Sequence, residues 1–151
     1  MNYLPVSLNI GNRHVLIVGG GKVALEKLQL LSRFRCFVTV VGEELSDETL
    51  QYASSSHIRP FQLEDLEGVF IVYACSSDRE VNRLIKQEAN ARGILVNTPD
   101  DPELCDFLSP AFFSDGPMTV AVSSSGTDVR KAIAWRNRIK TYLSNDEGLI
   151  P

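Results

Sequence analysis

Short apolar, β-branched runs alternate along the chain with stretches of helical period, and that alternation predicts most of the fold. Residues 13–18 (RHVLIV) form an apolar run that stops at Gly19-Gly20-Gly21, and a stretch over 23–33 follows in which Val23, Ala24, Leu28 and Leu31 fall on or near one helical stripe. This is a strand, a glycine turn and a helix. Residues 37–41 (FVTVV) are apolar almost without break, as in a strand buried on both faces. A short helix is expected over 46–54 with Ser46 as its N-cap, then a weaker strand over 58–63, interrupted by Pro60 and so placed near an edge. Residues 69–75 (VFIVYAC) predict another buried strand; Ser76-Ser77-Asp78 caps a helix from Arg79 to about Arg92, which Gly93 ends. A fifth strand is expected over 94–97 and a sixth over 118–123, after the turn Ser114-Asp115-Gly116-Pro117. Asp128 caps a last helix to about Leu143, and 146–151 reads as a tail. Strands and helices in this order give an α/β fold, a doubly wound, mostly parallel sheet covered on both faces.

At 151 residues, 44% apolar and 23% charged, the chain has the material for one ordinary core and needs no metal or disulfide to hold it. No run of eighteen apolar residues is present and Met1–Ile10 lacks a basic start, so neither a membrane span nor a cleaved signal is expected, and the chain is read as cytoplasmic. A net charge of -4 argues against a general nucleic-acid binder. Cys36, Cys75 and Cys105 are odd in number and far apart, which favours buried thiols over a disulfide framework or a CxxC metal site; no metal ligand set is expected.

The chemistry starts at Gly19-Gly20-Gly21-Lys22-Val23-Ala24, which fits G-x-G-x-x-G/A directly after a strand and before a helix. Gly19 permits the tight turn, Gly21 lets the backbone approach a pyrophosphate, and Ala24 lets helix and strand pack closely, which is the Rossmann-like arrangement for a dinucleotide. The second strand ends Val41-Gly42-Glu43-Glu44 with no Arg or Lys nearby in sequence. Gly42 holds the usual acidic position and Glu43 substitutes for it, favouring NAD over NADP, while the turn alone also suits FAD. Ser76 and Ser77 stand where a doubly wound sheet opens on a cofactor crevice, although with Asp78 they also suit a helix cap. Asp100, Asp101, Glu103 and Asp106 follow the fifth strand, a grouping equally suited to acid–base work, metal capture or a solvated loop. Asp101 and Asp106 are expected to shape the loop through side-chain to backbone bonds. His14 and His57 resemble neither a positioned base nor a ligand, and Trp135 is expected to pack against the sheet or a partner.

Leu4-Pro5-Val6, the turn at 18–24 with Lys27, Asn97-x-x-Asp100-x-Pro102 running on to Cys105-Asp106-Phe107-x-x-Pro110-Ala111, and Val120-Ala121-Val122-Ser123-Ser124-x-Gly126-Thr127 occur in order. Together they resemble the precorrin-2 dehydrogenase family, including the amino-terminal part of siroheme synthase, over roughly residues 3–140. The resemblance implies NAD-dependent dehydrogenation of precorrin-2 to sirohydrochlorin, with ferrous iron insertion in some members left open here. It implies a catalytic role for Asp100, a place for Ser123 and Ser124 near the tetrapyrrole, and a homodimer. Thr127 adds a hydroxyl in a loop whose following helix start favours carboxylate, and Arg130 adds charge there, unless it is an ordinary solvated residue. Members of the family continue further as a small helical domain, so the carboxyl-terminal helical extension reads as truncated. The expected division is an NAD-binding Rossmann-like domain over 1–113, a strand and helix for substrate and dimerisation over 114–145, and the tail over 146–151. The alternative is a non-catalytic dinucleotide-binding regulatory module; an unrelated small reductase is disfavoured because no Tyr-x-x-x-Lys pair is present.

Overall fold

A computed structural model describes residues 3–145, so the expected tail over 146–151 lies outside the described residues. The described residues divide into two compact units, one formed by 5–107 and the other by 108–145 with Tyr3 and Leu4.

The larger unit is a five-stranded parallel sheet in the order β3-β2-β1-β4-β5. Its strands are β1 (His14–Val18), β2 (Phe37–Gly42), β3 (Ser55–Ile58), β4 (Val69–Ala74) and β5 (Leu95–Asn97). Crossovers α1 (Lys22–Leu31), α2 (Asp47–Tyr52) and α3 (Arg79–Ala91) join them. Alternation along β1 divides the core between the two faces of the sheet. Val15 and Ile17 pack with Ala24, Leu28 and Leu31 of α1, while Leu16 and Val18 pack with Ile85 and Ala89 of α3. Both sets are essentially water-free, and each buried Leu or Ile in them contributes about 1.5–3 kcal/mol relative to exposure.

Local signals end the helices where the sequence predicts. Ser46 Oγ accepts the Thr49 amide at 3.1 Å and starts α2. Gly93, at φ +71°, closes α3: its amide reaches the Asn90 carbonyl at 3.1 Å and the Ile94 amide reaches that of Ala89 at 2.9 Å, the paired bonds of a left-handed helix stop.

The third strand lies earlier than the expected 58–63. Ser55–Ile58 is an edge strand exposed along its whole length, so no apolar pattern marks it, and Pro60 has no N–H with which to extend the ladder. The sixth expected strand is not part of the parallel sheet. In the smaller unit β7 (Met118–Val122) pairs antiparallel with a strand the sequence reading missed, β6 (Ala111–Asp115), across a two-residue turn with Gly116 at φ +51°. So short a link can join only antiparallel neighbours. The last helix, α4 (Val129–Asn145), is capped by Asp128, whose Oδ1 accepts the Lys131 amide at 2.8 Å. Trp135 is 53% exposed and carries the Lys131 ammonium over its ring.

Candidate functional site

Strand order reverses between β1 and β4, so the chain leaves the sheet in opposite directions on either side of a crevice at their carboxyl ends. A cleft of about 720 Å³ opens there, lined by residues 18–23, 41–44, 59–61, 75–78, Val81 and Asp100. It gathers the sequence-predicted residues Gly19, Gly20, Gly21, Lys22, Val23, Glu43, Ser76, Ser77 and Asp100 around one cleft.

The three glycines answer to three different constraints. Gly19 sits at φ +122°, its amide bound to the Val41 carbonyl at 2.7 Å, and a side chain there would collide with the Cys75 carbonyl. A Cβ on Gly20 would fall on the Glu44 carbonyl oxygen. Gly21 is different: its backbone is ordinary (φ -77°, ψ -176°) and a Cβ there would meet no protein atom within 4 Å. Neither conformation nor packing requires glycine at 21, so the space it leaves belongs to the cleft. Gly21 is also the N-cap of α1 with no side-chain cap, so the helix's first amides are available to an anion. A pyrophosphate fits this cradle. Ala24, fully buried, lies in the core and not on the rim; its part is to let α1 approach β1.

The acidic corner is explained by crowding. A Cβ on Gly42 would lie 3.1 Å from the Gly20 amide nitrogen and 3.2 Å from the Gly19 carbonyl carbon, so β2 ends without a side chain and the carboxylates follow at Glu43 and Glu44. Facing them across the β2–β3 pairing is Arg59, whose amide donates to the Gly42 carbonyl at 3.1 Å. Nothing along the chain from β2 points to this arginine; pairing of β3 on β2 brings it to the rim.

The opposite wall is fixed from α3. Asn82, 6% exposed, donates to the Ser76 carbonyl at 2.9 Å and accepts the Ser76 amide at 3.2 Å. Ser76 Oγ accepts the Asp78 amide at 3.1 Å, and Asp78 accepts that of Glu80 at 2.8 Å, so capping is the work of Asp78, with Ser76 in the turn before it and Ser77 exposed beside them. Sequence reading also passed over Asn82, a polar residue on the apolar side of an amphipathic helix.

Asp100 rides on a loop held from within. The Cys105 sulfur accepts the Thr98 amide at 3.2 Å and donates to the Thr98 carbonyl at 3.1 Å. Asp106 accepts the Val96 amide at 2.9 Å and pairs with Lys86, while Asp101 pairs with Arg79 at 2.9 Å. Asp101 and Asp106 thus tie the loop down, and Asp100, exposed, faces the cleft. On the cleft wall, desolvation pushes the half-buried Cys75 thiol up to about 12, with Lys27 pulling it down. Burial likewise lowers Lys27, whose ammonium lies 5.4 Å from the Tyr73 ring centre, while Cys75, Glu26, Cys105 and Asp100 pull it back up. All three cysteines are free thiols, and among the described residues no group of three His, Cys, Asp or Glu is placed to hold a metal ion.

In the smaller unit Ser123, Ser124 and Thr127 form the turn into α4. Ser123 Oγ accepts the Ser125 amide at 3.1 Å, Ser124 Oγ accepts the Asp128 amide at 2.9 Å, and Thr127 Oγ1 donates to the Ser124 carbonyl at 2.6 Å. Ser125 and Gly126 take positive φ (55° and 80°), and Arg130 is exposed on the first turn of α4.

Comparison with known proteins agrees with this geometry. Residues 6–111 match a family model described as "Putative NAD(P)-binding". The chain is 40% identical over 147 residues to a siroheme synthase of Methylobacillus flagellatus, covering 95% of this chain and 32% of that protein. It is 39% identical over 153 residues to a siroheme synthase of Nitrosomonas europaea, covering 98% of this chain and 32% of the other. The chain thus spans about a third of the length of the curated relatives it matches. Among solved structures it resembles SirC, a precorrin-2 dehydrogenase, with a TM-score of 0.73 and 27% identity over 95% of this chain and 71% of that one.

Proposed function

For a chain that belongs to this NAD(P)-binding family, and is similar to siroheme synthases and a precorrin-2 dehydrogenase, we propose the NAD-dependent dehydrogenation of precorrin-2 to sirohydrochlorin. The observation that carries the cofactor half is the cradle at Gly21, where the open space and the uncapped start of α1 suit a diphosphate. NAD, when bound, supplies the hydride acceptor.

The chain's own residues do the rest. Residues 19–23 hold the diphosphate on backbone amides, and Glu43 accepts hydrogen bonds from the ribose. Ser76 and Ser77 form the facing wall. Asp100 orients the macrocycle or takes the proton released as hydride leaves. Ser123, Ser124, Thr127 and Arg130 hold the carboxylates of the substrate, since a flat polyacid needs donors and positive charge. The protein works as a cytoplasmic homodimer; no described helix is long and apolar enough to cross a membrane. These tasks divide between a nucleotide unit over 5–107 and a substrate and dimerisation region that starts at 108 rather than at the expected 114, since a boundary after 113 would cut through β6.

The test is anaerobic conversion of precorrin-2 with saturating NAD, followed by NADH absorbance. Wild-type protein forms NADH and Asp100→Ala does not. Normal turnover by Asp100→Ala removes that residue from the mechanism, and NAD binding with no turnover in the wild type identifies a dinucleotide-binding regulatory module instead.

A further inference from the structure

Arg59 is held at the cleft by a fixed set of partners. It follows the edge strand β3, lines the cleft beside Gly42, Glu43 and Glu44, and keeps its side chain 32% exposed. Asp65, whose side chain is 8% exposed, grips the guanidinium as a fork: Nη1 donates to Oδ2 at 2.9 Å and Nη2 to Oδ1 at 2.6 Å. Nη1 also donates to the Pro60 carbonyl at 3.0 Å. Asp65 is itself fixed, because Oδ2 accepts the Gln62 amide at 2.9 Å in a reciprocal cap on the 3-10 turn Leu63–Leu66. The three bonds of Arg59 leave Nε–H, one Nη2–H and the planar face of the group uncommitted.

A guanidinium so held has lost its rotamer freedom before any ligand arrives, and its face is weakly hydrated, which suits stacking on a flat base. Its charge is matched by Asp65, and Glu43 and Glu44 line the same wall, so a dianionic phosphate meets net negative charge there. We infer that Arg59 is the adenine-holding residue of the cleft, its guanidinium fixed in plane by Asp65 and offered to the purine of the bound dinucleotide, while the adjacent glutamates turn away a 2′-phosphate. The inference rests on the dinucleotide reading of the glycine turn and adds the residue that holds the adenine end.

Calorimetric titration of the full chain with NAD, NADP, 5′-AMP and inorganic pyrophosphate tests it. Arg59→Lys keeps a cation beside Asp65 but removes the plane, so it guards against the loss of folding that Arg59→Ala invites. In Arg59→Lys, NAD and AMP bind about tenfold more weakly than in wild type, as loss of a stacking partner predicts, while pyrophosphate, which reads the glycine turn alone, binds unchanged. Wild-type AMP affinity in Arg59→Lys overturns the inference, as does an equal loss of AMP and pyrophosphate. A loss confined to NADP overturns it as well, since it makes Arg59 a phosphate contact. If wild-type protein binds none of the four, the dinucleotide reading itself falls.

Discussion

Gly20 and Gly21 are adjacent, and alanine at each has opposite consequences. At Gly21 the added methyl meets no protein atom within 4 Å and the backbone stays in an ordinary region, so two small effects remain. Replacing glycine stiffens the unfolded chain and stabilises by about 0.4–1 kcal/mol. Alanine is a poorer N-cap than glycine by a similar amount, and the two nearly cancel. The expected melting temperature lies within about 4 °C of wild type. The methyl does occupy the cradle, and overfilling a close contact costs about 1–3 kcal/mol, which weakens NAD by about 5- to 150-fold. At Gly20 the methyl falls on the Glu44 carbonyl oxygen, a backbone atom that cannot swing aside, so the same cost of about 1–3 kcal/mol falls on folding and lowers the melting temperature. Thermal unfolding by circular dichroism and calorimetric titration with NAD separate the two effects. Undiminished NAD affinity in a folded Gly21→Ala refutes the assignment of that space to the cofactor.

Asp65 offers a pH test. Burial raises its carboxyl, but the Arg59 fork and the Gln62 amide outweigh it and leave the folded value below the ordinary 3.8. Its contribution is therefore complete above that value and lost as pH falls through the folded one, so Asp65→Asn is less stable than wild type in urea at pH 7 and the gap closes below about pH 4. A gap independent of pH contradicts the assignment. Lys27 runs the other way: its folded value is below 10.5, so carrying the charge opposes folding at neutral pH and ceases to do so as pH rises toward the ordinary value. Lys27→Met should show a higher urea midpoint at pH 7, with a difference that shrinks toward about pH 10.5; a lower midpoint at pH 7 would sink the reasoning. The Cys75 thiol, raised from 9.0 to about 12, carries about a thousandfold less thiolate at pH 8 than an ordinary cysteine. Iodoacetamide labelling followed by peptide mapping should find it slow to react, and labelling at the rate of a small thiol contradicts the raised value.

Much of this was legible in the chain because two independent signals agreed at the same place. Around residues 14–31 the buried strand, the glycine turn and the helical stripe all demand one another, and the structure follows them closely. Where only one signal existed the reading slipped. Ser55–Ile58 is an edge strand with no buried face, so hydrophobic alternation cannot mark it, and the apolar residues just after it drew the expectation downstream. Ala111–Asp115 escaped because its partner is a strand only seven residues on, and a hairpin declares itself through the pair. Arg59 was invisible for a different reason: its nearness to Glu43 depends on Gly42 lying opposite Ile58, a register that sequence distance does not encode. The carboxylates after β5 were visible as a group, but only the loop's internal bonds separate Asp101 and Asp106, which are engaged, from Asp100, which is not.

Both margins of the parallel sheet discourage strangers. β3 is four residues long, polar for most of its length, and the chain turns off at Arg59-Pro60, while β5 at the other margin is three residues long. A flat, greasy, uninterrupted border would invite another chain to zip on and would seed fibrils at the concentrations reached inside a cell. These clipped borders cost the sheet a few ladder bonds, and they keep further copies from growing onto it strand by strand.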